Sequence, residues 1–476
     1  MFTRDEFQTI YDQGPDAVYA LITSLVADLQ TQVQELKARL DADSHNSNKP
    51  PSTDGLKKPR TTSQRQPSGR KRGGQKGHPG RNLEFSDAPD TVVDHTPASC
   101  TGCGLDLAGL AAVCVEARQV VDLPPLSLVT TQHRVHTCVC PACGHTNQAA
   151  FPEGVASRVQ YGPRVQALSV YLSTYHLLPY KRIGQAFTDL FGARLSTATL
   201  VSAVQSAHSR LKDVVEDIKK ALTKAPVAHF DESGCRVAGR LHWWHVASTQ
   251  RLTFYHFHRS RGKIGMDDAG VLPNFRGRAV HDGWSSYQHY GCLHALCNAH
   301  HLRELTAVCE HEGQVWAGKM HALLVESYRI VEGAKQQKRL RVHPLQQARL
   351  EARYRKLLAE GLAANPPPTP VVGHRGRLKQ SQARNLLERL ERFQPEVLAF
   401  LYDFSVPFDN NQAERDIRML KLKQKVSGCF RAAGGAEAFC TIRSYLSTLS
   451  KQGQSLWSAL EQVFCGTVLR PDLAVR

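Results

Sequence analysis

Apolar residues at Ile22, Val26, Leu29, Val33, Leu36 and Leu40 recur at spacings of 4-3-4-3-4, and Tyr19 extends the series backwards. That is an a/d repeat over about three heptads, flanked by Gln, Glu, Lys and Arg. With no second apolar stripe to bury, it predicts a coiled-coil helix over residues 1–40. So short a zipper assists a dimer rather than holding one alone. From Asp41 to Arg81 the pattern stops: the only aliphatics are Ala42 and Leu56, and Pro, Ser and Gly fill much of the rest. Such a segment cannot offset its chain entropy by burial, so residues 41–90 are expected to form a disordered basic linker.

Helical periodicity returns between residues 160 and 225. One helix ends at Gly192 and the next begins behind Ser196, a fitting N-cap. Two helices joined at a glycine resemble a helix-turn-helix, though two helices packing in a bundle fit the same pattern. At Pro226 the period changes from 3.6 to 2. Val227 to Val237, Leu241 to Ser248 and Leu252 to His258 read as three antiparallel strands with turns at Gly239-Arg240 and Thr249-Gln250. A helical patch around Ile264 to Val271, a short strand Arg278 to Asp282 closed by Gly283, and another strand His294 to Cys297 follow. Three strands, helix, strand, helix, strand and more helix is the order of a ribonuclease-H-like fold.

Composition narrows the partners. The 476 residues hold 60 Lys plus Arg against 43 Asp plus Glu, a formal charge of +17, which points to an anionic partner, nucleic acid before a membrane surface. No apolar run reaches the roughly 18 residues of a membrane span, and the opening Met-Phe-Thr-Arg-Asp-Glu lacks a signal-peptide pattern. A secreted, membrane or wholly disordered protein is therefore not expected, and the chain is placed in the cytoplasm, at the nucleoid when bound to DNA. Within the linker, Arg70, Lys71, Arg72 and Lys76 are expected to lie along phosphates or enter a minor groove.

Thirteen cysteines are too sparse for a disulfide scaffold. Two pairs stand out: Cys100-x2-Cys103 and, after 36 intervening residues, Cys140-x2-Cys143, each followed by a turn glycine (Gly104, Gly144). Four thiolates on two such knuckles make a closed tetrahedral zinc site, a zinc ribbon over residues 91–153. Cys138 is a possible substitute ligand. Histidines crowd the stretch from His229 to His301, and Cys297-x2-His300 has a spacing that could bind zinc, but no second pair accompanies it; core or substrate-side roles are preferred.

The chemistry rests on carboxylates. Asp231 lies inside the first strand of the alternating region and Asp282 at the tip of the fourth; in a ribonuclease-H-like sheet those strands are neighbours. A third carboxylate is needed on a later helix, and Asp409-Asn-Asn-Gln-Ala-Glu-Arg-Asp-Ile-Arg supplies Glu414. There Asp409 or an Asn caps the helix, and Ala413, Ile417 and Leu420 form its buried stripe. Arg415, Arg418 and Lys421 face outward to a phosphate backbone. Three hard-oxygen ligands suit two magnesium (or manganese) ions that activate a hydroxyl and stabilise the leaving oxygen of an in-line displacement. Because neighbours on a strand point to opposite faces, Asp231 and Glu232 cannot both line the site, and Glu232→Gln is expected to be far milder for cleavage than loss of Asp231.

These features resemble a DDE transposase of the insertion-sequence-66 family. The resemblance is carried by Asn46-Ser-Asn-Lys-Pro-Pro-Ser-Thr-Asp54, Gly73-Gly-Gln-Lys-Gly-His-Pro-Gly80, the paired CxxC, Asp231-Glu, His281-Asp-Gly-Trp, Cys297-Asn-Ala-His-His-Leu-Arg-Glu-Leu, Asn410-Asn-Gln-Ala-Glu-Arg and the tail from Ser427. It implies that Asp231, Asp282 and Glu414 are the catalytic carboxylates. It implies as well a leucine-zipper-like N-terminus, a zinc-finger region, a helical insertion before the glutamate, and accessory proteins encoded beside the gene. Two departures, Cys429 with Ala432-Ala433 in the tail and the extra Cys138, leave the carboxylates untouched.

The expected organisation is multidomain α/β. After the zipper, linker and ribbon come a helical, helix-turn-helix-like domain over 154–225 and a catalytic domain over 226–445, with a helical insertion about 300–395 and a C-terminal helical tail over 446–476. Lys335, Lys338, Arg339, Arg341, Arg349, Arg353, Arg355 and Lys356, opposed only by Glu351, make the insertion basic enough to clamp DNA. The expected activity is cleavage and strand transfer at terminal inverted repeats by a homo-oligomer on DNA. A catalytically silent zinc-containing regulator and a nuclease for RNA–DNA hybrids are the rivals.

Overall fold

The heptad stripe lies along a single helix. In the computed structural model, which describes residues 3–47, 77, 83–368, 378 and 380–475, a short helix α1 (Arg4–Tyr11) precedes the 27-residue α2 (Pro15–Asp41). Pro15 occupies the first turn, where its missing N–H has no helical acceptor to lose. Ile22, Val26, Leu29, Val33, Leu36 and Leu40 all remain exposed along α2. The foot of the helix is anchored elsewhere: Gln34 Nε2 donates to the His311 carbonyl at 2.8 Å, and Asn46 Nδ2 donates to Glu310 Oε2 at 3.3 Å. Arg70, Lys71, Arg72 and Lys76 lie outside the described residues.

Residues 83–160 are largely exposed extended backbone. Their one hairpin joins β1 (Thr137–Val139) to β2 (Thr146–Gln148), with Thr137 opposite Gln148 and the second cysteine pair in the turn. Beyond it, α3 (Pro163–Val170) runs into a widened π-type turn at Tyr171–Tyr175, followed by α4 (Tyr180–Phe191) and α5 (Thr197–Leu222). Gly192 closes α4 at φ 65°, and Ser196 Oγ caps α5 by accepting from Thr199 N at 3.1 Å, as expected.

Helix α5 has 26 residues and buries ten of them. Leu211, Ile218 and Leu222 share one core with Ala228, Phe230 and Phe254 of the strands that follow. The expected boundary at residues 225/226 therefore falls inside a single packed unit.

The alternating region forms β3 (Val227–Val237), β4 (Arg240–Ser248) and β5 (Thr253–His258), an antiparallel meander turned at Ala238 and Gly239, both with positive φ (49° and 77°). After α6 (Lys263–Ala269) come β6 (Arg278–His281) and β7 (Leu293–Leu296), each parallel to its neighbour, giving the order β5-β4-β3-β6-β7. The helical insertion then follows as α7 (Asn298–Glu312), α8 (Val315–Gln336), α9 (Pro344–Ala364) and α10 (Gln382–Arg392). Two single turns, α11 (Gln394–Val397) and α12 (Ala399–Tyr402), lead the chain out of it. Trp316, Met320, Leu324, Tyr354 and Leu387 give the insertion a core of its own. Its basic stretch is not opposed by Glu351 alone: Glu326 pairs with Arg353 and Glu332 with Lys335, both from α8.

The chain returns to the sheet with α13 (Asn411–Ser427), α14 (Ala433–Lys451) and α15 (Leu456–Cys465). Ala413, Ile417 and Leu420 of α13 pack on Cys235, Val237, Trp244 and Val246. Helix α14 lies against the outer edge of β5, where Thr448 Oγ1 accepts from Thr253 N (3.0 Å) and Ser444 Oγ from Tyr255 N (2.9 Å). Hydroxyls thus take the place of a neighbouring strand. Because α14 is central to this core, the expected tail boundary at 445/446 cuts through a buried helix.

Candidate active site

Strand register brings the first two carboxylates level. In the parallel pair, Val227 faces Arg278 and His229 faces Val280. Two residues further along each strand, Asp231 and Asp282 stand at the same height, one inside β3 and the other just past the end of β6. Gly283, at φ 89°, turns the chain immediately after Asp282, and its N–H donates to His281 Nδ1 at 3.0 Å. Asp282 Oδ1 accepts from Trp284 N at 2.9 Å, and Asp231 Oδ1 from Glu232 N at 2.8 Å. Among the described residues neither Oδ2 has a protein partner.

The third carboxylate is set by Asn410. Expected as a helix cap, Asn410 makes no side-chain cap bond. It is buried between helix and strand instead, where Nδ2 donates to the Phe230 carbonyl at 2.7 Å and Oδ1 meets His229 Nδ1 at 2.9 Å. Since Nδ2 must be the donor to a carbonyl, Oδ1 accepts and His229 carries its proton on Nδ1. The start of α13 is thereby fastened to the residues just before Asp231, and Glu414 projects one turn later, its N–H bonded to the Asn410 carbonyl at 3.2 Å.

Electrostatics report the convergence. Burial raises the Asp231 carboxyl well above its ordinary range, and the charges of Glu232, Asp282 and Glu414 raise it further. Glu414 moves the other way, held down chiefly by a hydrogen bond from His300, whose Nε2 lies 3.3 Å from Oε1. Glu232 diverges from Asp231 as strand alternation requires, yet it is no bystander. Its carboxylate, 1% exposed, binds Arg261 at 2.7 Å and accepts from Tyr287 at 2.6 Å. Burial, then the charge of Asp282, raises its own carboxyl. Arg261 in turn stacks over Trp284 and Trp243, at 4.0 and 5.0 Å from the ring centroids. Strand alternation alone could not disclose this buried pairing.

Cys297 and His300 also meet Glu414. One donor atom from each of the three falls within 4.8 Å of the others, so the missing partner of the Cys-x2-His spacing comes from a helix 114 residues away. The four ribbon cysteines remain as two pairs. Both knuckles share one backbone design, Cys100 N to the Leu105 carbonyl and Cys140 N to the His145 carbonyl, each at 2.8 Å, with Gly104 and Gly144 in the left-handed region. N–H groups within each knuckle lower the Cys100 and Cys140 thiols. Donor chemistry and knuckle geometry suit zinc, although the two pairs are not gathered into one cluster. Arg415, Arg418 and Lys421 are exposed on α13, with Lys421 Nζ also bonded to the Gly234 carbonyl at 3.1 Å.

A model of the transposase IS66 family matches residues 158–438, more than half of the chain and the whole of the sheet and its carboxylates. The chain belongs to the IS66 transposase family. A family of unknown function matches residues 9–84, which include α2. No curated protein matches the chain. No helix among the described residues is long and apolar enough to cross a membrane.

Proposed function

We propose that the protein is a DDE transposase whose Asp231, Asp282 and Glu414 hold two magnesium or manganese ions at the ends of its element. The observation that carries this reading is that β3 and β6 hold Asp231 and Asp282 level, with the charge of Glu414 on α13 felt at Asp231 and a free Oδ2 on each aspartate. The strand order and the helix behind it support a ribonuclease-H-like core. Mutual repulsion of this kind is relieved by cations, which when bound lower the pKa of an attacking hydroxyl and stabilise the leaving oxygen.

The chain's own groups supply orientation. Asn410 fixes Glu414 against β3, His300 holds its Oε1, and Trp284 N and Glu232 N orient the two aspartates. In the first step a water oxygen bonds to phosphorus and the bond to O3′ breaks, leaving a 3′-hydroxyl at the element's end. That hydroxyl then loses its proton and attacks a target phosphodiester, so one P–O bond forms as another breaks. Arg415, Arg418 and Lys421 line the exposed side of α13 along the DNA backbone, and Arg70, Lys71, Arg72 and Lys76 add an arm. Cys100, Cys103, Cys140 and Cys143 would close on one structural zinc, and the exposed stripe of α2 would pair with a second copy on the inverted repeats. Accessory proteins of the same element are further expected partners.

The test is nicking of a labelled inverted-repeat end with magnesium present or chelated. Asp231→Asn, Asp282→Asn and Glu414→Gln should each abolish cleavage while end binding survives. Robust cleavage by Glu414→Gln, or by the wild type in chelator, would overturn the mechanism. Binding without cleavage in any divalent metal would favour the silent regulator.

A further inference from the structure

Two side chains beside Glu414 offer donor atoms that the metal pair above does not use. Cys297 follows β7 and stands at the N-cap of α7, and His300 lies in the first turn of that helix. Their donor atoms and a Glu414 oxygen lie within 4.8 Å of one another. The imidazole–carboxylate separation is 3.3 Å. Two ligand atoms sharing a tetrahedral zinc at roughly 2.0–2.3 Å stand about 3.3–3.8 Å apart, so this pair is already at coordination distance and the sulfur needs only a small closing movement.

The donor set is selective. A thiolate and an imidazole favour zinc or cobalt over magnesium, which prefers an all-oxygen octahedron. Cys297 is fully buried and its Sγ accepts from Asn410 N at 3.1 Å, which fixes it in place. His300 and Glu414 are 17% and 22% exposed, which leaves an approach and a fourth position for water.

We propose that Cys297, His300 and Glu414 form a site for one thiophilic divalent cation, zinc by chemistry, and that filling it withdraws Glu414 from the magnesium pair and stops strand cleavage. On binding, the Cys297 S–H bond breaks, an S–metal bond forms and the proton leaves to solvent. The inhibitory half rests on Glu414 being a magnesium ligand; the binding half does not.

The experiment titrates full-length protein, stripped of metal by chelator and dialysed, with cobalt(II) alone, and reads the near-ultraviolet thiolate charge-transfer band and the visible d–d bands. Wild type should take up one more equivalent than Cys297→Ser or His300→Gln, each checked for folding by its melting curve. Equal uptake and equal spectra in wild type and His300→Gln would overturn the site. In parallel, zinc is added to magnesium-dependent nicking of an inverted-repeat end. The zinc concentration for half-inhibition should rise tenfold or more in Cys297→Ser, and unchanged sensitivity would overturn the inhibitory role. If wild type does not nick at all, the transposase reading fails while the cobalt spectrum still decides the site.

Discussion

Asn410→Ala and Asn410→Asp together distinguish a helix cap from a bracket between helix and strand. The side chain makes two buried hydrogen bonds, to the Phe230 carbonyl at 2.7 Å and to His229 Nδ1 at 2.9 Å. Alanine leaves both partners unsatisfied, at about 1–3 kcal/mol each. Some relaxation is expected, so the loss should be about 2–4 kcal/mol, or roughly 5–15 °C in Tm for a unit of this size. No cap term is added, because the side chain caps nothing. Aspartate separates the models more sharply. As a cap it equals asparagine, but at this position it sets an oxygen against the Phe230 carbonyl and loses the donor, so it should cost nearly as much as alanine. Thermal melts in chelator, beside nicking assays in magnesium, give both readouts, and cleavage should fall further than stability alone explains. A neutral aspartate variant together with an alanine loss under about 0.5 kcal/mol would refute the bracket.

Asp231→Asn, inactive in cleavage, should stabilise the metal-free protein at neutral pH by on the order of 1 kcal/mol, since it removes a carboxylate that burial and three neighbouring charges oppose. With the folded carboxyl raised above its unfolded value, the cost is largest above the folded pKa, shrinks as pH falls from there and is gone below the unfolded value. The stabilisation measured by denaturant melts should therefore shrink on acidification, and a gain independent of pH would contradict it. Tyr287→Phe should cost about 1.5–3 kcal/mol by denaturant melt, because a buried carboxylate loses a donor at 2.6 Å. Cys140→Ser should remove about one zinc by metal analysis and loosen residues 91–153 to proteolysis; full zinc content would exclude Cys140 as a ligand. Replacing Arg70, Lys71 and Arg72 by Ala should lower the salt slope of DNA binding by up to roughly three, and an unchanged slope would make the arm a tether.

What could be read from the sequence was local. Alternation from Val227 to His258 located three strands to within a residue or so, the Ala413, Ile417 and Leu420 stripe oriented α13, and Ser196 and Gly192 marked their helix ends. The stripe of α5 was equally plain, but a stripe says that a face is buried and not against what, so its place under the sheet was missed. The same limit hid the Glu232 pairing with Arg261 and Tyr287, and the two hydrogen bonds of Asn410 to β3, whose partners lie 29 to 181 residues away. Cys297 and His300 were visible as a pair; their third ligand depended on where α13 returns to the sheet.

The hydroxyls of α14 that cover β5 have a consequence in time. Thr253 and Tyr255 precede their partners by 195 and 189 residues. At about 5–20 residues per second, a ribosome takes roughly 10–40 s to reach those partners. For that interval β4 and β5 can already pair while the outer N–H groups of β5 face solvent, an open edge of the kind on which chains aggregate. The nascent protein is thus at its most association-prone midway through synthesis, and a ribosome that stalls before residue 444 releases a sheet that nothing in its own chain can close.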